Sequence, residues 1–184
     1  MFDILESVFD PEILLKKGLE AEVRGSLDEA RDLYAQAVAE ARWVEGAQPL
    51  AHALRTLGGI ERRLQHLDTA LQAYAEASAA SQRQGDLAGE VEALLATGEI
   101  LAERKQTQPA EQALNRALEL CQMEQEPQPL PQARALHALA QLSEVSNPQE
   151  TLLLWQAAAT MYEAAGSEEK LAECKRYVAF LLGI

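Results

Sequence analysis

"GSLDEARDLYAQAVAEA", residues 25–41, combines small apolar residues and charges with a single aromatic ring. Ala30, Tyr34 and Ala37 lie four and seven residues apart, so a helix places them on one face. Two of the three are alanine. So slight a face cannot build a core by bulk. It suits a contact where a second helix must come very close.

The same arrangement recurs at a step of forty residues. From Gly18 the step leads to Gly58, Gly98 and Ala138, and from Ala30 to Ala70, Ala110 and Glu150. Tyr34 leads to Tyr74, Leu114 and Leu154; Ala37 to Ala77, Ala117 and Ala157; Leu14 to Leu54, Leu94 and Arg134. The clear departures, Glu150 and Arg134, fall in the last copy, where a terminal repeat has no further neighbour to fit. We expect Gly18, Gly58 and Gly98 to receive Ala30, Ala70 and Ala110 of the partner helix. Tyr34 and its counterparts would fill the hollow beside them.

Local signals divide each copy into two helices. Pro11, Pro49, Pro109, Pro131 and Pro148 sit where helices would begin, and there a missing N–H costs nothing. "SLDE" at 26–29 and "NPQE" at 147–150 read as capping boxes, with Ser26 and Asn147 as N-caps. The first helices are expected at 11–24, 49–64, 87–104 and 131–144. The second are expected at 27–45, 67–84, 108–123 and 148–165. A last helix follows at 168–182 with Ser167 as its N-cap, and residues 2–9 could form a short leading helix. "EPQPLPQ" at 126–132 reads as a stiff spacer.

This arrangement resembles the tetratricopeptide repeat. Gly18, Gly25, Ala30, Tyr34 and Ala37 in "GLEAEVRGSLDEARDLYAQAVAEA" (18–41) stand at that family's signature positions. "LGGIERRLQHLDTALQAYAEA" (57–77) and "TGEILAERKQTQPAEQALNRALEL" (97–120) follow it, and the fourth copy follows it weakly. The usual period is about 34 residues, so the resemblance is to a longer variety of about forty, as found in bacterial regulators and peptide-binding scaffolds. It implies an all-α fold: a right-handed α-α superhelix, a solenoid of four helix hairpins with a C-terminal capping helix. Residues 1–184 would form one domain, with a short N-terminal segment at 1–10, repeats at 11–48, 49–86, 87–126 and 129–166, and a cap at 167–184. A HEAT-type solenoid shares the period but explains the Gly/Ala/Tyr columns less well.

Composition narrows the function. Of 184 residues, 48% are hydrophobic and 24% charged, a globular balance with enough chain for a sizeable core. No run is long and apolar enough for a membrane span, and the acidic start "MFDILESVFD" lacks the basic region of a secretory signal. Cys121 and Cys174 are isolated, which fits a reducing cytoplasm. The net charge of −13 disfavours nucleic acid and anionic membranes as partners. No phosphate-binding loop, dinucleotide fingerprint, HExxH or CxxC occurs. His52, His66 and His137 fall in three different copies, and Cys121 and His137 show no base-and-orienter pattern. Neither a metal, a cofactor nor an enzyme is expected.

Binding is the remaining class. In the family resembled, first helices line the concave face. Carried onto this chain, that face comprises Leu15, Leu19, Glu22 and Val23, then His52, Arg55, Gly59, Arg62 and Arg63. It continues through Glu92, Leu95, Glu99 and Glu103 to Ala135, Leu139 and Leu142. We take His52, Arg55, Gly59, Arg62, Arg63, Leu95, Glu99 and Leu139 as candidate contacts for a protein or peptide partner. The basic strip Arg55, Arg62, Arg63 has two readings: a cradle for an acidic peptide, or ion pairing with Glu20 or Glu22 on one side and Glu92, Glu99 or Glu103 on the other. The family's two-carboxylate clamp is disfavoured, because its positions hold Leu15, Leu19, Thr56, Glu92 and Ala96. Phe2, Phe9, Trp155, Tyr177 and Phe180 gather toward the ends and mark a possible homodimer contact; Trp43 is expected in the core. The chain reads as a non-catalytic scaffold, the alternatives being a ligand-responsive regulator and a self-assembling module.

Overall fold

The computed structural model describes residues 10–43, 48–123, 127–143 and 147–183. These residues contain no strand. They form α1 (Pro11–Val23), α2 (Leu27–Ala41), α3 (Gln48–Arg63), α4 (Leu67–Gln84), α5 (Leu87–Glu103), α6 (Thr107–Met123), α7 (Pro129–Ser143), α8 (Pro148–Ala164) and α9 (Glu168–Leu182). The bounds follow the expected ones within two residues, except that α2 stops at Ala41. That stop corrects the expectation for Trp43. The buried face of α2 runs through Ala37, Val38 and Ala41. Two residues further is about 200° around the axis, and Trp43 is 87% exposed.

The chain divides into two compact units, Met1–Ala93 and Leu94–Ile184, with α5 contributing to both. In the first, α1 packs on α2, α2 on α3 and α3 on α4, and α3 also touches α1. In the second, α6 packs on α7, α7 on α8 and α8 on α9. Small side chains fill the first core: Ala37, Ala53, Ala77 and Ala93 with Leu14, Val38 and Leu54. The second core gathers Ala133, Ala140 and Ala158 around Trp155, Tyr162 and Cys174.

One turn type joins most of these helices. Gly25, Gln65, Gly85, Lys105 and Gly166 take positive φ, between 59° and 81°. Each donates its N–H three residues back, and the next residue donates five back, as Gly25 to Glu22 and Ser26 to Ala21. This double bond closes a helix C-terminus on a left-handed residue. The turns at 65, 85 and 105 are spaced by twenty, so the forty-residue period is two helix–turn units of equal length.

The same turn corrects two expected caps. Ser26 and Ser167 are N-caps by position, yet neither makes a side-chain cap bond. Each also ends the preceding turn, which leaves ψ at 71° and 81°. Asn147 is extended, with φ −153° and ψ 99°, and its side chain accepts from the Glu150 N–H.

The glycine seam exists, but its occupant differs from the one expected. A Cβ on Gly18 would run into the ring of Tyr34, and one on Gly58 would lie 2.9 Å from the ring of Tyr74. On Gly98 it would lie 2.6 Å from Leu114. The large residue sits on the glycine itself, and Ala30 packs beside it with Ala21 and Ile60. A flat ring laid on bare backbone needs more clearance than an alanine methyl, so glycine is required there. The fourth hairpin, α7 with α8, forms despite its departures. Arg134 turns to Glu99, with N–O distances of 2.8 and 3.0 Å. Buried Thr151 bonds the carbonyls of Ser143 and Asn147 at 3.0 and 2.9 Å.

Candidate functional site

In the N-terminal unit, α1 has two distinct apolar faces. Pro11, Leu14, Gly18 and Ala21 are buried. Leu15, Leu19 and Val23, four residues apart, form a second stripe, and Leu19 and Val23 are 57% and 83% exposed. Between this stripe and α3 lies a cleft of about 480 Å³. Its walls are Glu12, Leu15, Lys16, Leu19 and Glu22 from α1, Tyr34 from α2, and His52 and Thr56 from α3. Helical spacing accounts for both walls: 12, 15, 16, 19 and 22 share one face of α1, and 52 and 56 one face of α3.

The polar groups of the cleft are held in place. The Tyr34 hydroxyl donates to Glu22 at 2.7 Å, and the Arg63 guanidinium also contacts Glu22. Burial raises the Tyr34 pKa, which keeps this hydroxyl a donor. Thr56 donates to the His52 carbonyl at 2.9 Å. The result is a preformed apolar floor with a fixed carboxylate at one side, and exposed Lys16 and His52 at its mouth.

The structure distributes the sequence-predicted residues unevenly. His52 lines the cleft, as do Leu15, Leu19 and Glu22 of the inferred concave face. The basic strip is divided. Arg63 pairs with Glu22, one of the acids foreseen, whereas Arg55 turns to Asp86 at 3.5 Å, which was not. Asp86 also accepts from the Gly89 N–H and from Ser81, and any Cβ on Gly89 would collide with all three side chains. Arg62 and Gly59 are half-buried on α3. Leu95 is completely buried and Leu139 is 8% exposed, so both serve packing rather than contact. Glu99 is bound by Arg134. Glu12 and Lys16 were missed, although their offsets from Leu15 and Leu19 put them on the same face. Tyr34 could be found only in three dimensions.

Of the expected end contacts, Phe2 and Phe9 lie outside the described residues. Trp155 is wholly buried, which removes it as a direct contact, and Tyr177 stacks on it with ring centroids 4.3 Å apart. Phe180 is 79% exposed.

The C-terminal unit assembles a group that no spacing announced. His137 of α7 meets the edge of Trp155 at 4.8 Å and of Tyr162 at 5.9 Å. Its Nδ1 is 4.0 Å from Cys174 Sγ, and its Nε2 is 3.8 Å from a Glu173 oxygen. The order Cys–His–Glu suggests nucleophilic chemistry, but the electrostatics oppose it. Burial pushes the Cys174 thiol up to about 11, and burial lowers the His137 pKa. Both are held neutral, and a thiol that stays protonated is not a nucleophile. Glu173 is held below the ordinary range, chiefly by its hydrogen bond from Lys170. Among the described residues no cluster of His, Cys, Asp and Glu could hold a metal, and no helix is long and apolar enough to cross a membrane.

Comparison with known proteins agrees with this architecture. Residues 49–123, which hold α3 to α6, match the tetratricopeptide repeat family model. Among solved structures, the Rap protein complexed with Competence and Sporulation Factor aligns with a TM-score of 0.68 and 14% identity, over 94% of this chain and 54% of that one. BtubC from P. vanneervenii aligns with a TM-score of 0.71 and 17% identity, over 94% and 79%. The chain thus spans about half the length of the Rap protein, and at these identities the likeness is one of fold. No curated protein matches by sequence. Residues 49–123 thus match tetratricopeptide repeats by sequence, and forty-residue hairpins with a glycine seam filled by tyrosine or leucine extend the same fold over the described residues.

Proposed function

We propose that the chain is a non-catalytic scaffold that captures a segment of a protein or peptide partner in the cleft between α1 and α3. The observation that carries this reading is the cleft itself. Exposed Leu19 and Val23 continue its apolar floor, and its polar walls are fixed before any partner arrives. A preformed wall loses little conformational entropy on binding. The Rap protein of similar fold was solved with a bound factor, which supports capture as a use of such a fold.

The test replaces Leu19 with Glu and attaches a photo-crosslinker at position 16 of the parent chain. Leu19 is already half in solvent, so the melting temperature should stay unchanged. A partner that crosslinks through position 16 and is lost from the Leu19→Glu variant supports the reading. A partner bound equally by parent and variant places recognition elsewhere.

A further inference from the structure

Helix α9 has one fully buried residue, Cys174, whereas α6, α7 and α8 each have four or more. An element with so little burial opens at the lowest cost. Cys174 sits against His137 of α7, and that imidazole is itself buried. Its surroundings are the rings of Trp155 and Tyr162 on α8, and the Cys174 thiol and Glu173 carboxylate on α9. None of these is a close hydrogen bond: Cys174 Sγ lies 4.0 Å from Nδ1, and Glu173 Oε1 lies 3.8 Å from Nε2. The indole N–H of Trp155 has no acceptor among the described residues. The seat of α9 is therefore apolar packing around two polar groups that water would satisfy better.

A proton on His137 meets little compensation in this seat. Among the described residues, the charges that act on it are Glu173 and Lys170 of α9 and Glu99 of α5; none lies on α6 or α8. Glu173 is shared with Lys170, whose ammonium donates to it at 2.8 Å. Glu99 is bound by Arg134, one turn back on α7. Tyr162 and Cys174 stay neutral, because burial pushes the phenol up to about 12 and the thiol up to about 11. Burial outweighs the pull of Glu173 and lowers the His137 pKa from its ordinary 6.5. Lifting α9 brings water to both ring nitrogens and returns the group toward that ordinary value. The open form then binds the extra proton, so acid favours it. We propose that His137 is an acid-operated release for α9: its protonation unseats this helix and exposes the Cys174 thiol while α6, α7 and α8 stay packed. The surface uncovered includes the face of Trp155 on which Tyr177 stacks. The device is independent of the α1/α3 cleft.

Thiol labelling of the full chain tests the proposal. Cys121→Ala leaves Cys174 as the one thiol. The chain is labelled with a dipyridyl disulfide from mildly alkaline to mildly acidic pH, with reagent dilute enough for the rate to follow the open population. Dividing by the rate of a short cysteine peptide removes the pH dependence of the thiol chemistry itself. The ratio should be level above about pH 6.5 and rise below it by up to about tenfold per pH unit, the limit for one proton. Helicity should fall by no more than the share of α9. His137→Gln should keep the ratio level throughout. Glu173→Gln removes the acid that most favours the proton in the closed form, so the rise should run on to lower pH. The Glu173 side chain is 25% exposed, so this second variant decides should His137→Gln fail to fold. A ratio level at every pH in the parent overturns the proposal. So does a rise that persists unchanged in His137→Gln or, where that variant does not fold, in Glu173→Gln. A rise that accompanies loss of more helical signal than α9 supplies also overturns it, because the whole unit is then unfolding.

Discussion

The N-terminal unit closes its hairpins by bringing rings onto glycine, whereas the C-terminal unit closes its last helix by stacking rings on each other. In the first, Tyr34 and Tyr74 lie on Gly18 and Gly58, and the rest of the core is mostly alanine and leucine. In the second, Trp155 and Tyr177 stack 2° from parallel, with His137 edge-on and Cys174 beneath. The difference shows that a hairpin repeated in series can use a minimal seam, because each neighbour adds its own burial. Helix α9 is seated on α8 and α7 through wide rings instead, and it encloses titratable groups in doing so.

Substitutions can break this contrast. Trp155→Ala removes the largest buried side chain of the C-terminal unit and should cost about 4 kcal/mol, read as a shift in the urea midpoint. Gly18→Ala should cost about 2 kcal/mol, because the Tyr34 ring lying on Gly18 must shift against its hydrogen bond to Glu22. Gly98→Ala should cost less, since Leu114 can change rotamer. Equal costs at 18 and 98 would show that the ring is not what makes glycine necessary.

The turns supply a finer test. Gln65 and Lys105 hold φ of 64° and 59° where the first copy has Gly25. Gln65→Gly and Lys105→Gly should each stabilise by about 1 kcal/mol, while Gly25→Ala should destabilise by a similar amount. Thermal melts of the three variants check the signs.

The pH dependence should belong to the C-terminal unit. Burial lowers the His137 pKa below 6.5, so in mildly acidic solution the unfolded chain binds more protons than the folded one. Stability is therefore full above about pH 6.5 and falls as the pH drops toward the folded value. Glu173, whose pKa is also lowered, adds a loss below 4.5. Denaturant midpoints measured between neutral and mildly acidic pH should show this slope, and His137→Gln should flatten its upper part. A slope unchanged in that variant would assign the effect to carboxylates elsewhere.

The cleft was half legible in advance. Leu15, Leu19, Glu22 and His52 follow from carrying the concave face of the tetratricopeptide repeat, as the resemblance implies it, onto the first helices. Arg55 was misjudged because Asp86, its partner, is 31 positions away and announces itself only as a helix cap. Trp43 was misjudged because the second helix was expected to run on to residue 45, whereas α2 ends at Ala41.

By itself the sequence determined the helices, their forty-residue recurrence and the places where backbones must approach. All of these depend on spacing along one chain and on side-chain volume. Only the tertiary structure decided that tyrosine rather than alanine rests on the glycines, that the arginines are divided between Asp86 and Glu22, and that His137 meets Cys174. Each of these depends on which side chains from separate helices reach the same space, and helical periodicity does not encode that distance.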